Sequence, residues 1–190
     1  MKNTDFRSWL LETMRLEYKK WANDREWLEI DRALFADTML GAIKHIVRGG
    51  TLLLATDKHR EWFGTYALSR FYYGGTHRPL LPIFSLNRLL GADFSAQKSS
   101  MDNTSIDNTI NMLDIAYGDY MFWYVGQINN RIADLCRSKE YGLFWVMEEG
   151  IRGAFALRAN DEFLDYKLIE MLRLFEKALY ESIFNRVVIE

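Results

Sequence analysis

Few side chains in this sequence are placed to do chemistry, and their spacing narrows what that chemistry could be. His59 lies between Asp57 and Glu61, just after the apolar run Thr51-Leu52-Leu53-Leu54-Ala55. A histidine flanked by carboxylates can serve as a general base. An exposed histidine in the first turn of a helix has the same neighbours. Asp57 at such a turn is also a natural helix cap, because its carboxylate accepts from backbone N–H groups that the helix leaves free. Glu148 and Glu149 are adjacent, so on a strand they point to opposite faces and do not form a working pair. Cys136 is the single cysteine. It makes no internal disulfide, and no Cys/His cluster has zinc-ligand spacing. Its setting, Ile132-Ala133-Asp134-Leu135-Cys136, is that of a small apolar filler on a helix.

Phosphate-cradling loops are absent. A dinucleotide site needs glycines that let backbone amides approach a pyrophosphate at a helix N-terminus. The corresponding turn here, Ala55-Thr56-Asp57-Lys58-His59-Arg60, has no glycine and puts Asp57 where the anion would sit. No Walker sequence occurs, and no cofactor is expected.

The elements that must position these residues follow from periodicity. Phe6, Leu10, Met14, Tyr18 and Trp21 recur at helical spacing over residues 4–21. Leu28, Phe35, Met39, Ala42, Ile43 and Ile46 predict a second helix over 25–48, ended by Gly49-Gly50. The run at 51–55 reads as a strand buried on both faces. A third helix is expected over 58–73, then a turn at Gly74-Gly75-Thr76. A second strand is expected at 80–84. Pro79 and Pro82 cannot donate to a sheet, which puts this strand near an edge. After a polar loop at 91–100 come a helix from Asp102/Asn103 to Tyr117, a strand at 120–125, a helix at 128–137, and strands at 143–147 and 154–157. The last helix, 161–185, confines Glu162, Glu170, Arg173, Lys177 and Glu181 to a narrow stripe. It must therefore be buried on two sides, by the sheet and by either the leading helices or another subunit.

Strands alternating with helices predict an α/β fold: a doubly wound, mainly parallel sheet of about five strands, with an N-terminal helical pair and a long C-terminal helix. The 190 residues suit one domain spanning 1–190. Ligands in such sheets sit at the carboxyl ends of the strands. Asp57, His59, Ser85 and Glu148 fall there, a polar set that could bind a small ligand.

A net charge of −2, with Lys19-Lys20 as the longest basic run, argues against direct nucleic-acid binding and against attraction to an anionic membrane. The polar N-terminus and the lack of a long uncharged apolar run give an expected cytoplasmic location. Aromatic residues make up 15% of the chain. A core of large side chains accounts for most of them, and a surplus would suit an interface.

One ordered series of motifs runs across nearly the whole chain: Trp27-Leu28-Glu29-Ile30-Asp31-Arg32, Gly49-Gly50-Thr51-Leu52-Leu53-Leu54, Arg60-Glu61-Trp62-Phe63, Arg78-Pro79-Leu80-Leu81, Met121-Phe122-Trp123-Tyr124-Val125-Gly126, Leu164-Asp165-Tyr166 and Leu174-Phe175-Glu176-Lys177-Ala178-Leu179. Each motif is weak alone; in this order they resemble the HobA family of replication-initiation regulators. The resemblance implies a fold related to the sugar isomerase (SIS) domain, a homotetramer, and binding to the N-terminal domain of the replication initiator DnaA, a role shared with DiaA regulators. The expectation is a non-enzymatic adaptor that holds several initiator molecules together. Trp9, Tyr18, Trp21 and Trp27 are the expected partner contacts, although large aromatics equally often pack in a core or an oligomer interface. The alternative is a sugar-phosphate isomerase or phosphosugar-binding protein using His59 or Glu148 as base.

Overall fold

The structure, a computed structural model, describes residues 4–20, 27–73, 79–91, 94, 101–148 and 151–189, with side chains at all of these except 4, 18–20, 29 and 30. Five parallel strands form the central sheet: β2 (Thr51–Thr56), β3 (Ile83–Ser85), β4 (Tyr120–Gly126), β5 (Gly142–Val146) and β6 (Phe155–Ala156). They lie in the order β3-β2-β4-β5-β6. The chain leaves β2 toward one edge and returns to its other side with β4. The order therefore reverses between β2 and β4, and that reversal marks where such sheets usually bind ligands.

Alternation along each strand builds two cores. Leu52, Leu54, Trp123, Val125, Leu143 and Trp145 face one layer of helices. Leu53, Ala55, Phe122, Tyr124, Phe144 and Val146 face the other. Helices α1 (Phe6–Lys20), α2 (Trp27–Ile30), α3 (Arg32–Val47), α4 (Glu61–Tyr72) and α8 (Leu164–Ile183) cover the first face. The short α5 (Leu86–Leu90), then α6 (Asn103–Tyr117) and α7 (Arg131–Arg137), cover the second. Trp123 lies at the centre of the first core, 5.3 Å from the Trp145 ring and 5.1 Å from Phe175, both edge-on. Edge-to-face contacts match the positive rim of one ring to the negative face of the next. Much of the aromatic content is thus spent inside the molecule.

Local chemistry sets the boundaries. Gly49 ends α3 with φ +93°, a conformation other residues rarely adopt, and the amides of Gly49 and Gly50 return to the carbonyls of Ile46 and His45. Asp102 starts α6 by accepting from Ser105 N–H at 2.8 Å, and Asn130 starts α7 by accepting from Ala133 N–H at 2.9 Å. The two-sided burial expected of the last helix is met within the chain: α8 packs against α1, α3 and α4, burying Leu168, Met171, Leu172, Leu174, Phe175, Ala178 and Leu179.

Four details differ from the sequence-based expectation. The strand expected at 80–84 begins only at Ile83, and Leu80 is 90% exposed. Pro82 has no N–H and contributes only its carbonyl, which accepts from Leu52. The strand is at the sheet edge, as its prolines predict. The helix expected at 25–48 is split at Asp31 into α2 and α3, and Trp27 on α2 is tied across to α8 by a 3.0 Å hydrogen bond from its indole N–H to Glu170. Residues 86–90 form a helix where none is expected, capped by Ser85. Lastly, the chain termini pair in a second small parallel sheet, β1 (Thr4–Asp5) with β7 (Val187–Val188). The expected turn at 74–76 and most of the expected loop at 91–100 lie outside the described residues. No helix among the described residues is long and apolar enough to cross a membrane.

Candidate functional site

At the reversal point, the carboxyl ends of β2 and β4 meet. Asp57 follows β2 in extended conformation and caps the 3-10 turn at Lys58–Arg60. Its Oδ1 accepts from the backbone N–H of Arg60 at 2.9 Å. Its Oδ2 accepts from the Arg60 guanidinium at 3.1 Å and from the backbone N–H of Gln127 at 2.7 Å. Both Asp57 and Arg60 are buried, so the pair interacts in a medium less polar than water, where charge-assisted hydrogen bonds are strong. Gly126 makes the third bond possible. A Cβ at that position would sit 2.7 Å from the Asp57 carboxyl carbon, so a larger residue would displace the carboxylate from Gln127 N–H.

The neighbouring polar groups are likewise spent internally. Asn87 from α5 uses both ends of its amide on Thr56: Oδ1 accepts from its N–H at 2.9 Å, and Nδ2 donates to its carbonyl at 2.8 Å. The amide continues the β-ladder by one rung. Tyr124 donates its hydroxyl to the Gln127 carbonyl and accepts from Asn130 Nδ2. Burial pushes the Tyr124 hydroxyl above its usual range, so it stays protonated and a donor.

The four residues expected to line a ligand pocket do not act together. Asp57 is sequestered as described. His59 and Glu148 are exposed, and Ser85 is half-buried and accepts from Arg88 N–H at 3.2 Å as the cap of α5. Among the described residues, no hydrogen bond or ion pair joins any two of them. Glu149 lies outside the described residues. A cavity of about 400 Å³ opens at the opposite, amino end of β4, lined by His45, Asp119, Tyr120, Met121, Lys139, Glu140 and Tyr141. Among the described residues, no group of His, Cys, Asp and Glu is arranged to hold a metal ion. Cys136 is fully buried, and its thiol is pushed up by desolvation.

Of the expected partner contacts, Trp9 is half-buried, its ring 6.3 Å from that of Phe6. Trp27 is also half-buried. Its indole N–H donates to Glu170, Phe155 meets it edge-on at 6.4 Å, and the Lys167 ammonium sits 4.7 Å from its ring centre. The side chain of Tyr18, and all of Trp21, lie outside the described residues. Sequence reasoning missed the work of Arg60, Gly126 and Asn87. One signal was available: a basic residue three positions after a capping Asp can fold back onto it.

With this geometry in view, comparison with known proteins is informative. The sequence matches the HobA family, described as a DNA replication regulator, over residues 1–189. The chain belongs to the HobA family. It is 32% identical to the DNA replication regulator protein HobA of Helicobacter pylori, over the full length of both chains. It is similar to HobA in a crystal structure of a HobA–DnaA (domain I–II) complex from Helicobacter pylori, with a TM-score of 0.73, 32% identity and 99% of each chain covered. A crystal structure of Helicobacter pylori HobA alone aligns with a TM-score of 0.72 at 30% identity, covering 97% of this chain and 99% of that one. The chain thus shares its fold with HobA along nearly its whole length.

Proposed function

We propose that this HobA-family chain regulates replication initiation as a non-enzymatic adaptor that binds the N-terminal region of DnaA, domains I–II. One observation carries the reading: along essentially its whole length the chain shares sequence and fold with a HobA seen bound to that region. The closed reversal point supports the absence of catalysis, because its donors and acceptors are occupied within the chain.

The adaptor acts as a homo-oligomer, a homotetramer, formed by a single domain spanning 1–190 and working in the cytoplasm. A symmetric oligomer offers several copies of one site, which raises the local concentration of bound initiator without any new contact. Exposed Tyr73, Leu80 and Phe84 around the edge strand, with Met112 and Ile115 on α6, support an association surface. The contacts to DnaA come from the leading helices, with Trp9, Tyr18, Trp21 and Trp27 as the residues to replace.

Size-exclusion chromatography of the chain with DnaA domains I–II from the same organism tests this. Co-elution is expected, and it weakens in a Trp9→Ala variant that keeps its thermal midpoint. Separate elution at high micromolar concentration contradicts the binding claim.

A further inference from the structure

We propose that the donors gathered at the reversal point form an anion-binding position that the chain fills itself: the Asp57 carboxylate occupies it, and a small oxyanion enters only when that carboxylate is removed. The argument rests on the direction from which the donors come. Two belong to Arg60, a backbone N–H and a buried guanidinium. The third, Gln127 N–H, belongs to a different strand end and reaches the same carboxylate across the reversal point at 2.7 Å. A capping residue needs only donors from its own turn. The donor from β4 and the glycine that admits it are superfluous to capping: a Cβ on Gly126 would lie 2.7 Å from both the carboxyl carbon and Oδ2. Together they enclose an anion from two strands at the position where open parallel sheets bind ligands. A site for a planar oxyanion, with three donors and one positive charge, is what remains when the Asp57 side chain is subtracted.

The inference has a functional consequence. A ligand phosphate or carboxylate would meet the Asp57 charge in a buried setting, where like charges repel strongly, so the intact chain rejects small anions at this end of the sheet. This is independent of DnaA binding, since the site lies at the strand ends and not on the leading helices.

The test is chemical rescue. In Asp57→Gly, acetate replaces the deleted atoms in full. Thermal midpoints of wild type and variant are measured in sodium acetate and in sodium chloride of the same ionic strength, each titrated into the tens of millimolar. The expected result is a saturable rise of a few degrees in acetate for Asp57→Gly, no difference between the two salts for wild type, and loss of the rise in Asp57→Gly/Arg60→Gln. Asp57→Ser, which keeps a capping oxygen, is measured in parallel in case Asp57→Gly does not fold in chloride. Equal midpoints in acetate and chloride for a folded Asp57 variant overturn the proposal, as does a wild type that responds as strongly as the variant. Binding to DnaA domains I–II is expected to survive in the folded variant, so failure of the rescue and failure of the adaptor reading are separate results.

Discussion

The Arg70 guanidinium reaches from α4 to α8 and donates to Glu176 Oε2 from two nitrogens, at 2.7 and 3.2 Å. The Glu176 side chain is only 6% exposed. Hydrogen bonding to that carboxylate raises the Arg70 pKa, so the guanidinium stays charged. Removing one member of a buried pair leaves a charge in poor solvent, typically at a cost of about 3–5 kcal/mol. Arg70 keeps 38% of its side chain in water, which screens the loss, so Arg70→Met is expected to cost about 2 kcal/mol by urea unfolding. Arg70→Met/Glu176→Leu should recover much of that. A second ion pair has a pH signature. Lys167 holds the Asp161 carboxyl below the usual carboxylate range. A carboxyl depressed in the folded state contributes stability that is fully present above its unfolded value, about pH 4, and is lost as pH falls through the lowered folded value. Asp161→Asn should therefore flatten the acid limb of the stability curve. Cys136, buried with its thiol pKa pushed up, should react with a thiol reagent only at the rate of unfolding. Prompt labelling of the native protein would contradict its assignment as a core residue.

The junction of α3 with β2 depends on a close approach. A Cβ on Gly50 would lie 2.4 Å from the His45 ring, and that ring is fixed by a 3.0 Å hydrogen bond between His45 Nε2 and the Thr51 carbonyl. Gly50→Ala is expected to destabilise by roughly 1–3 kcal/mol, the usual cost of overpacking. An unchanged thermal midpoint would show that the ring swings away freely. The pairing of the termini carries another expectation. Val187 is buried where β7 meets β1, and Val187→Asp should lower the midpoint by several degrees and make residues near the N-terminus more sensitive to protease. Periodicity was a good guide wherever a single element satisfied itself. The stripe of Phe35, Met39, Ile43 and Ile46, the continuous apolar run of β2 and the helix start at Asp102 depend on neighbours a few residues away, and they stand as read. The β1–β7 pairing was not legible, since two-residue strands at opposite ends of the chain have no period to detect. Asn87 sealing β2 is likewise a contact across thirty-one positions. At the candidate site, the cap at Asp57 was legible from its turn, but its bond to Gln127 depends on strand order, which local patterns do not encode.

On the scale of the whole molecule, Asp57, Arg60 and Gln127 clasp the carboxyl ends of β2 and β4 together at the reversal point of the parallel sheet. The proposed adaptor role rests on membership of the HobA family and on likeness to HobA in complex with DnaA domains I–II. Light scattering is expected to give a mass of about four chains; a monomer at micromolar concentration would remove the multivalent mechanism while leaving binding intact. The most direct test of the central claim is a calorimetric titration of the intact chain with DnaA domains I–II from the same organism. Saturable heat with about one initiator domain per subunit is expected. No heat at high micromolar concentration, from partners each shown to be folded, would contradict the adaptor role.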